Sequence, residues 1–233
     1  MTNHYSLPPS GDRLPKYGLL LLVLCLLIIF APTATATGST VLVEALFNLV
    51  LIVGTYSGVW GGVRRWPFLT LTALTFIARW CALVWGGVEL EIIAAAFTVG
   101  WTALVIVIVL GELFEDHGVT TSAITKAIVT YLLIAIAFAY LYELLELSHP
   151  GSFSGVPEEA GSGPLGDALL YFSLVSLTTL GYGDIVPVSS LARPVAALEG
   201  AVGTLYIAVI IARLVAVHVA SMPGQGSAGV NGH

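Results

Sequence analysis

Seven consecutive residues, Thr178, Thr179, Leu180, Gly181, Tyr182, Gly183 and Asp184, offer chemistry through the backbone rather than through side chains. Successive carbonyls can face one side only if alternate residues take positive φ, which costs glycine little and costs any residue with a β-carbon more. Gly181 and Gly183 fall on that alternation. A row of backbone oxygens facing one side is chemistry suited to an oxygen tube that replaces the water shell of an ion. The competing reading is a tight turn, because glycine and aspartate are common turn residues.

The surroundings favour the oxygen tube. A bilayer core takes about 20 apolar residues to cross. The run follows a segment too short for that, 167–178, and lies between two that are long enough, 124–147 and 194–220. The short segment reads as an amphipathic helix about 18 Å long with Asp167 as its N-cap. It enters the membrane without crossing it, and its C-terminal dipole end faces the place where a cation would wait. Non-helical backbone at that depth is tolerated where it lines water and is enclosed by protein.

Composition requires the same setting. Of 233 residues, 57% are apolar and 9% charged, and the mean hydropathy is +0.95. These values exclude a soluble globular domain and point to an integral membrane protein. The formal charge of −6 is spread over several loops, and no basic patch suggests nucleic acid. Cys25 and Cys81 both lie in apolar stretches, so neither a disulfide framework nor a Cys/His metal site is offered. No cofactor is expected.

The expected fold is an all-α membrane protein with six transmembrane helices, the re-entrant helix and oxygen-lined run lying between helices 5 and 6. The spans fall at about 17–36, 41–60, 66–86, 90–113, 124–147 and 194–220. Residues 17–36 carry a second reading. A basic flank (Arg13, Lys16), an apolar core and the small-residue stretch Ala34, Thr35, Ala36 resemble a cleaved secretory signal. The long polar leader and the weakness of the cleavage signature favour a retained first helix. The most basic loop, 61–65, holds Arg64 and Arg65 and should stay inside. The cell membrane is therefore the expected location, with both termini cytoplasmic.

The organisation that follows is a cytoplasmic tail at 1–16, a four-helix membrane module at 17–120, a pore domain at 121–220 and a disordered tail at 221–233. Residues 149–163 read as an extracellular Gly/Ser/Pro-rich loop. Span four contains no Arg or Lys, so the module lacks the charge series of a voltage sensor. Charges inside spans are functional by default. Arg79 and Glu44, both towards the outer ends of their spans, either pair or snorkel to the interface. Glu199, in the outer half of the last span, should lie near the re-entrant helix and accept a hydrogen bond there.

Residues from about 124 to 220 resemble the outer helix, pore helix, selectivity filter and inner helix of tetrameric potassium channels. The resemblance rests on Tyr171 and Phe172, the run 178–184, Pro187 and Gly203. The preceding segments make the whole similar to bacterial six-helix channels of the ion-transport class, specifically for the pore and only architecturally before residue 120. The resemblance implies a homotetramer in the lipid bilayer that conducts K+ passively. The spans offer no nucleophile–base constellation, so no enzymatic activity is expected, and the short Gly-rich tail at 222–233 makes a soluble regulatory domain on this chain unexpected. It implies ion-lining residues Thr179, Leu180, Gly181, Tyr182 and Gly183, with K+ held at the first four. Thr178, Asp184, Tyr171 and Phe172 would support the filter, and Gly203 would be the gating hinge of the inner helix, with close packing as the competing explanation for that glycine.

Three departures stand out. Leu180 replaces the commoner valine. Tyr171 and Phe172 stand where many relatives have two tryptophans, and of the pair only Tyr171 can donate a hydrogen bond, to Asp184. Val175 stands where some two-helix channels place a bracing glutamate. The rival readings are a structural or regulatory membrane subunit with a vestigial pore, and a non-selective cation channel. No motif names a gating stimulus.

Overall fold

The computed structural model describes residues 16–36, 40–59, 65–116, 118–156 and 167–221. The N-terminal tail, the basic loop at 61–64, the side chains of Arg65 and Asp167, the 157–163 part of the outer loop and the C-terminal tail at 222–233 lie outside the described residues. The helices are α1 (Lys16–Ala36), α2 (Thr40–Val59), α3 (Arg65–Trp85), α4 (Val88–Glu115), α5 (Thr121–Ser148), α6 (Asp167–Leu177) and α7 (Ala192–Ser221), with two-residue strands β1 (Phe153–Ser154) and β2 (Val186–Pro187).

Five of these helices, α2, α3, α4, α5 and α7, have the length and apolarity to cross a membrane. Among the described residues they support a multi-pass membrane protein, and the expected first span is not among the five. In α1 the apolar stretch is Tyr17–Ala31, which ranks with the shorter apolar helices. It is nonetheless packed into the bundle, with Tyr17, Leu20, Leu24 and Leu27 buried. Its neighbours are α2, α5 and α6.

The main core forms where α1, α2, α4 and α5 meet, around Leu24, Phe47, Trp101 and Leu133. Lipid tails are as apolar as leucine, so this core contributes close packing and satisfied polar groups rather than removal from water. The Trp101 indole, for example, donates to Thr72 Oγ1 at 3.0 Å, joining α4 to α3. Helices α3 and α7 are the least covered of the five, and their outer faces are apolar.

The α4–α5 corner is short and held by polar contacts. The Thr120 hydroxyl caps α5 by accepting from the Ala123 amide at 3.1 Å. Lys126 reaches back to Asp116 at 3.0 Å. From α7, Arg213 donates to the carbonyls of Leu113 and Asp116, placing a cation on the negative end of α4. At the other end of α5, the Glu146 carboxylate accepts from the amides of Gly151 at 2.7 Å and Phe153 at 3.2 Å. The chain then enters β1, which pairs antiparallel with β2 in the register Phe153 to Pro187 and Ser154 to Val186.

Candidate ion-conducting site

Helix α6 packs between α5 and α7 and delivers the 178–184 run. Its end is closed by two backbone bonds, Thr179 N–H to Ser176 O at 3.0 Å and Leu180 N–H to Val175 O at 2.9 Å. This is the pairing of a Schellman motif, which requires a left-handed residue just past the cap, usually glycine. Here that residue is Thr179, at φ 58°, the one non-glycine with positive φ among the described residues. A β-branched side chain in that region marks backbone held against its own preference. Gly181 at φ 61° and Gly183 at φ 78° follow. Positive φ therefore recurs at every second residue through the run.

All seven residues of the run are exposed on the single chain, the large side chains of Leu180 and Tyr182 included. A β-carbon at Gly181 or Gly183 would meet nothing within 4 Å. Conformation, rather than crowding within the chain, is what asks for glycine there.

The exit of the run is braced from two directions. Tyr171 donates to Asp184 Oδ2 at 2.7 Å, and its ring stacks on Tyr182 with centroids 6.5 Å apart. The Ile185 amide donates to Asp184 Oδ1 at 3.1 Å. The Tyr171 hydroxyl holds the Asp184 carboxyl below its ordinary range, and the same bond pushes the Tyr171 phenol up to about 12. From the other side Gly155, at φ +87°, lies so close that a β-carbon there would stand 2.0 Å from the Asp184 carbonyl oxygen. Sequence reasoning placed Gly155 in a loop with no role.

Phe172 has no polar contact to offer and instead completes an aromatic cluster. Its ring lies 5.1 Å from Tyr142 and 5.4 Å from Phe153, which are 5.2 Å from each other. Thr178 turns inward on its own helix, donating to Leu174 O at 2.6 Å. Gly203 of α7 faces the last turn of α6, where Tyr131 also donates to Leu177 O at 3.2 Å.

Two buried acids from α2 and α7 are placed differently. Glu44 pairs with Arg79 through both oxygens, Oε1 to Nη2 at 2.6 Å and Oε2 to Nε at 3.0 Å. Arg79 also donates to the Tyr140 hydroxyl at 2.8 Å and lies over the Phe47 ring at 4.1 Å. With Glu44 2% and Arg79 3% exposed, neither snorkels to an interface. The pair ties α2 and α3 to α5, far along the chain from the 178–184 run. Glu199 is fully buried and hydrogen-bonded outside its own helix, to Tyr142 and Ser173. Tyr142 and Ser173 had no sequence signal, because each is an ordinary residue on an apolar helix until the partner helix is known.

Among the described residues, no group of acids, histidines or cysteines is arranged to hold a metal ion. The comparisons with known proteins agree with a transport role for the second half of the chain. Residues 126–219 match a family model described as "Ion channel". The chain is 27% identical over 131 residues to Protein LctB of Bacillus caldotenax and 28% identical over 131 residues to Protein LctB of Geobacillus stearothermophilus. Each alignment covers 55% of this chain and 91% of the relative. No solved structure gives a significant match. The stretch from α5 through α6 to α7 is thus similar to an ion-channel domain, carried within a multi-pass membrane protein.

Proposed function

We propose that the chain forms a homotetrameric potassium channel of the cell membrane that conducts K+ passively and is not steeply voltage-gated. The observation that carries this reading is the alternation of positive φ at Thr179, Gly181 and Gly183 at the end of a short helix, on a run that one chain leaves exposed. Alternate left-handed residues turn successive carbonyls towards one side, and oxygens so arranged replace the hydration shell of a cation. One chain offers one such run, so enclosing an ion needs several copies, and four is the number that known filters of this kind use. The ion-lining residues are Thr179, Leu180, Gly181, Tyr182 and Gly183. Tyr171, Phe172, Thr178 and Asp184 support them. The domain boundaries at 120 and 220, a membrane orientation with both termini cytoplasmic and the absence of enzymatic activity belong to the same proposal.

Purified protein in liposomes, loaded with K+ and challenged with K+ or Na+ outside, tests it. Rapid K+ flux with a reversal potential that follows the K+ gradient is the expected result. Equal permeation of both ions would favour a non-selective cation channel, and no flux a vestigial pore. Cross-linking in the same vesicles reports the expected four-chain assembly.

A further inference from the structure

The carboxyl of Glu199 sits where α5, α6 and α7 meet, fully buried. Tyr142 of α5 donates to Oε2. Ser173 of α6 lies 2.5 Å from Oε1, and the same Ser173 oxygen lies 2.7 Å from the carbonyl of Ala135 on α5. Glu199 pairs with no Lys or Arg among the described residues. A further titratable group near it among the described residues is the Tyr131 hydroxyl of α5, which donates to Leu177 O.

These contacts can be counted in protons. A serine hydroxyl carries one hydrogen, a tyrosine hydroxyl one, and a carboxylate none. Three short oxygen-to-oxygen contacts, Tyr142 to Glu199, Glu199 to Ser173 and Ser173 to Ala135, need three hydrogens. An ionised Glu199 leaves only two, so one pair of oxygens would face each other without a proton between them. A neutral acid closes the count: Tyr142 donates to Oε2, the acid proton on Oε1 goes to Ser173, and the serine proton goes to the Ala135 carbonyl. Burying a carboxylate without a cation is costly in any case, and neutralisation avoids that cost.

We propose that Glu199 is a neutral carboxylic acid at pH 7 and a positioning residue for α6, so that transfer of its proton to bulk water leaves one of the contacts joining Ser173 of α6 to α5 and α7 without a hydrogen. Ser173 lies one helical turn before Leu177, where α6 ends and the filter run begins. Breaking the chain at Ser173 therefore loosens the element that sets the position of Thr178 and Thr179. The functional consequence rests on the channel reading above; the protonation state does not.

The test uses full-length protein in liposomes and two readouts. In infrared spectra at pH 7 the parent shows a protonated-carboxyl absorption that Glu199→Gln removes, and alkaline titration converts it to carboxylate absorption. A difference between parent and Glu199→Gln that contains only carboxylate absorption at pH 7 overturns the proposal. In K+ flux, the parent loses activity reversibly as pH rises. Glu199→Gln keeps activity at pH 7 and loses that dependence, because an amide can donate to Ser173 and accept from Tyr142 as the neutral acid does, with one further N–H, and does not ionise. Glu199→Ala lowers flux roughly tenfold at every pH by leaving two buried hydroxyls without their partner. Identical pH profiles for parent and Glu199→Gln refute the positioning role. If no variant passes K+, the channel reading fails, and the infrared result still decides the state of Glu199.

Discussion

A β-carbon on Gly203 would stand 2.1 Å from the carbonyl oxygen of Leu177 and 3.0 Å from its carbonyl carbon. Helix α7 thus touches the last turn of α6 backbone to backbone, at the point where the 178–184 run begins. This contact gives Gly203 a reason to be glycine that does not depend on bending. Gly200, one turn earlier, is looser, since its β-carbon would lie 3.7 Å from Ser176 O.

The contact separates two roles for Gly203. Gly203→Ala should lower the melting temperature of the detergent-solubilised protein and reduce flux, as overpacking against backbone costs about 1–3 kcal/mol. Gly200→Ala should be tolerated. A Gly203→Ala protein with parental thermal stability and an altered open probability would instead support a hinge.

Gly181 is a conformational site. Gly181→Ala meets no atom of its own chain, yet its φ of 61° costs an L-residue roughly 1–2 kcal/mol. K+ over Na+ selectivity in bilayers should be lost or current abolished, while the α5 to α7 packing and far-ultraviolet helicity stay unchanged. Parental selectivity in this variant would remove Gly181 from the ion-lining set.

The Glu44 and Arg79 pair should show strong coupling. Removing one partner leaves a buried charge uncompensated, at a cost of about 3–5 kcal/mol. Glu44→Ala alone should therefore destabilise the protein more than Glu44→Leu combined with Arg79→Leu. Thermal unfolding of these two variants beside the parent in one detergent measures this, and a double variant less stable than Glu44→Ala would contradict it.

Acid should act on the outer end of the filter run through Asp184. Its carboxyl is held below the ordinary 3.8 by the Tyr171 hydroxyl. A depressed value means that the contribution of the ionised form is present above the ordinary value and is lost as pH falls through the depressed one. Tyr171→Phe removes the donor, so the acid-side loss of flux should move to higher pH. Profiles that coincide would show that the bond does not matter to conduction.

Voltage should have little effect on opening. Each charge that crosses the field contributes about 2.3 kcal/mol per 100 mV. Helix α4 carries neither Arg nor Lys, and Arg79 on α3 is clamped by Glu44 and Tyr140. Open probability in symmetrical K+ should be nearly flat across physiological potentials, and a steep rise equivalent to several charges would contradict this.

The backbone-level features of the molecule were legible in the residues themselves. Span length and apolarity depend on local composition, so α2 to α5 and α7 lie close to their expected positions, with α5 and α7 beginning a few residues earlier than expected. The alternation at Gly181 and Gly183 was readable because positive φ is a property of single residues, whereas Thr179 escaped because a Schellman end is visible only once the helix end is known. Tertiary structure decided what depends on which helices are neighbours. Glu199 meets Tyr142 across 57 positions and Ser173 across 26, and Arg213 reaches the end of α4 across 97 and more. Helices that are apolar all round carry no amphipathic stripe to announce their partners, so only packing could say which hydroxyls would surround a buried acid, which arginine would be sealed inside, and which glycine would be pressed against a carbonyl.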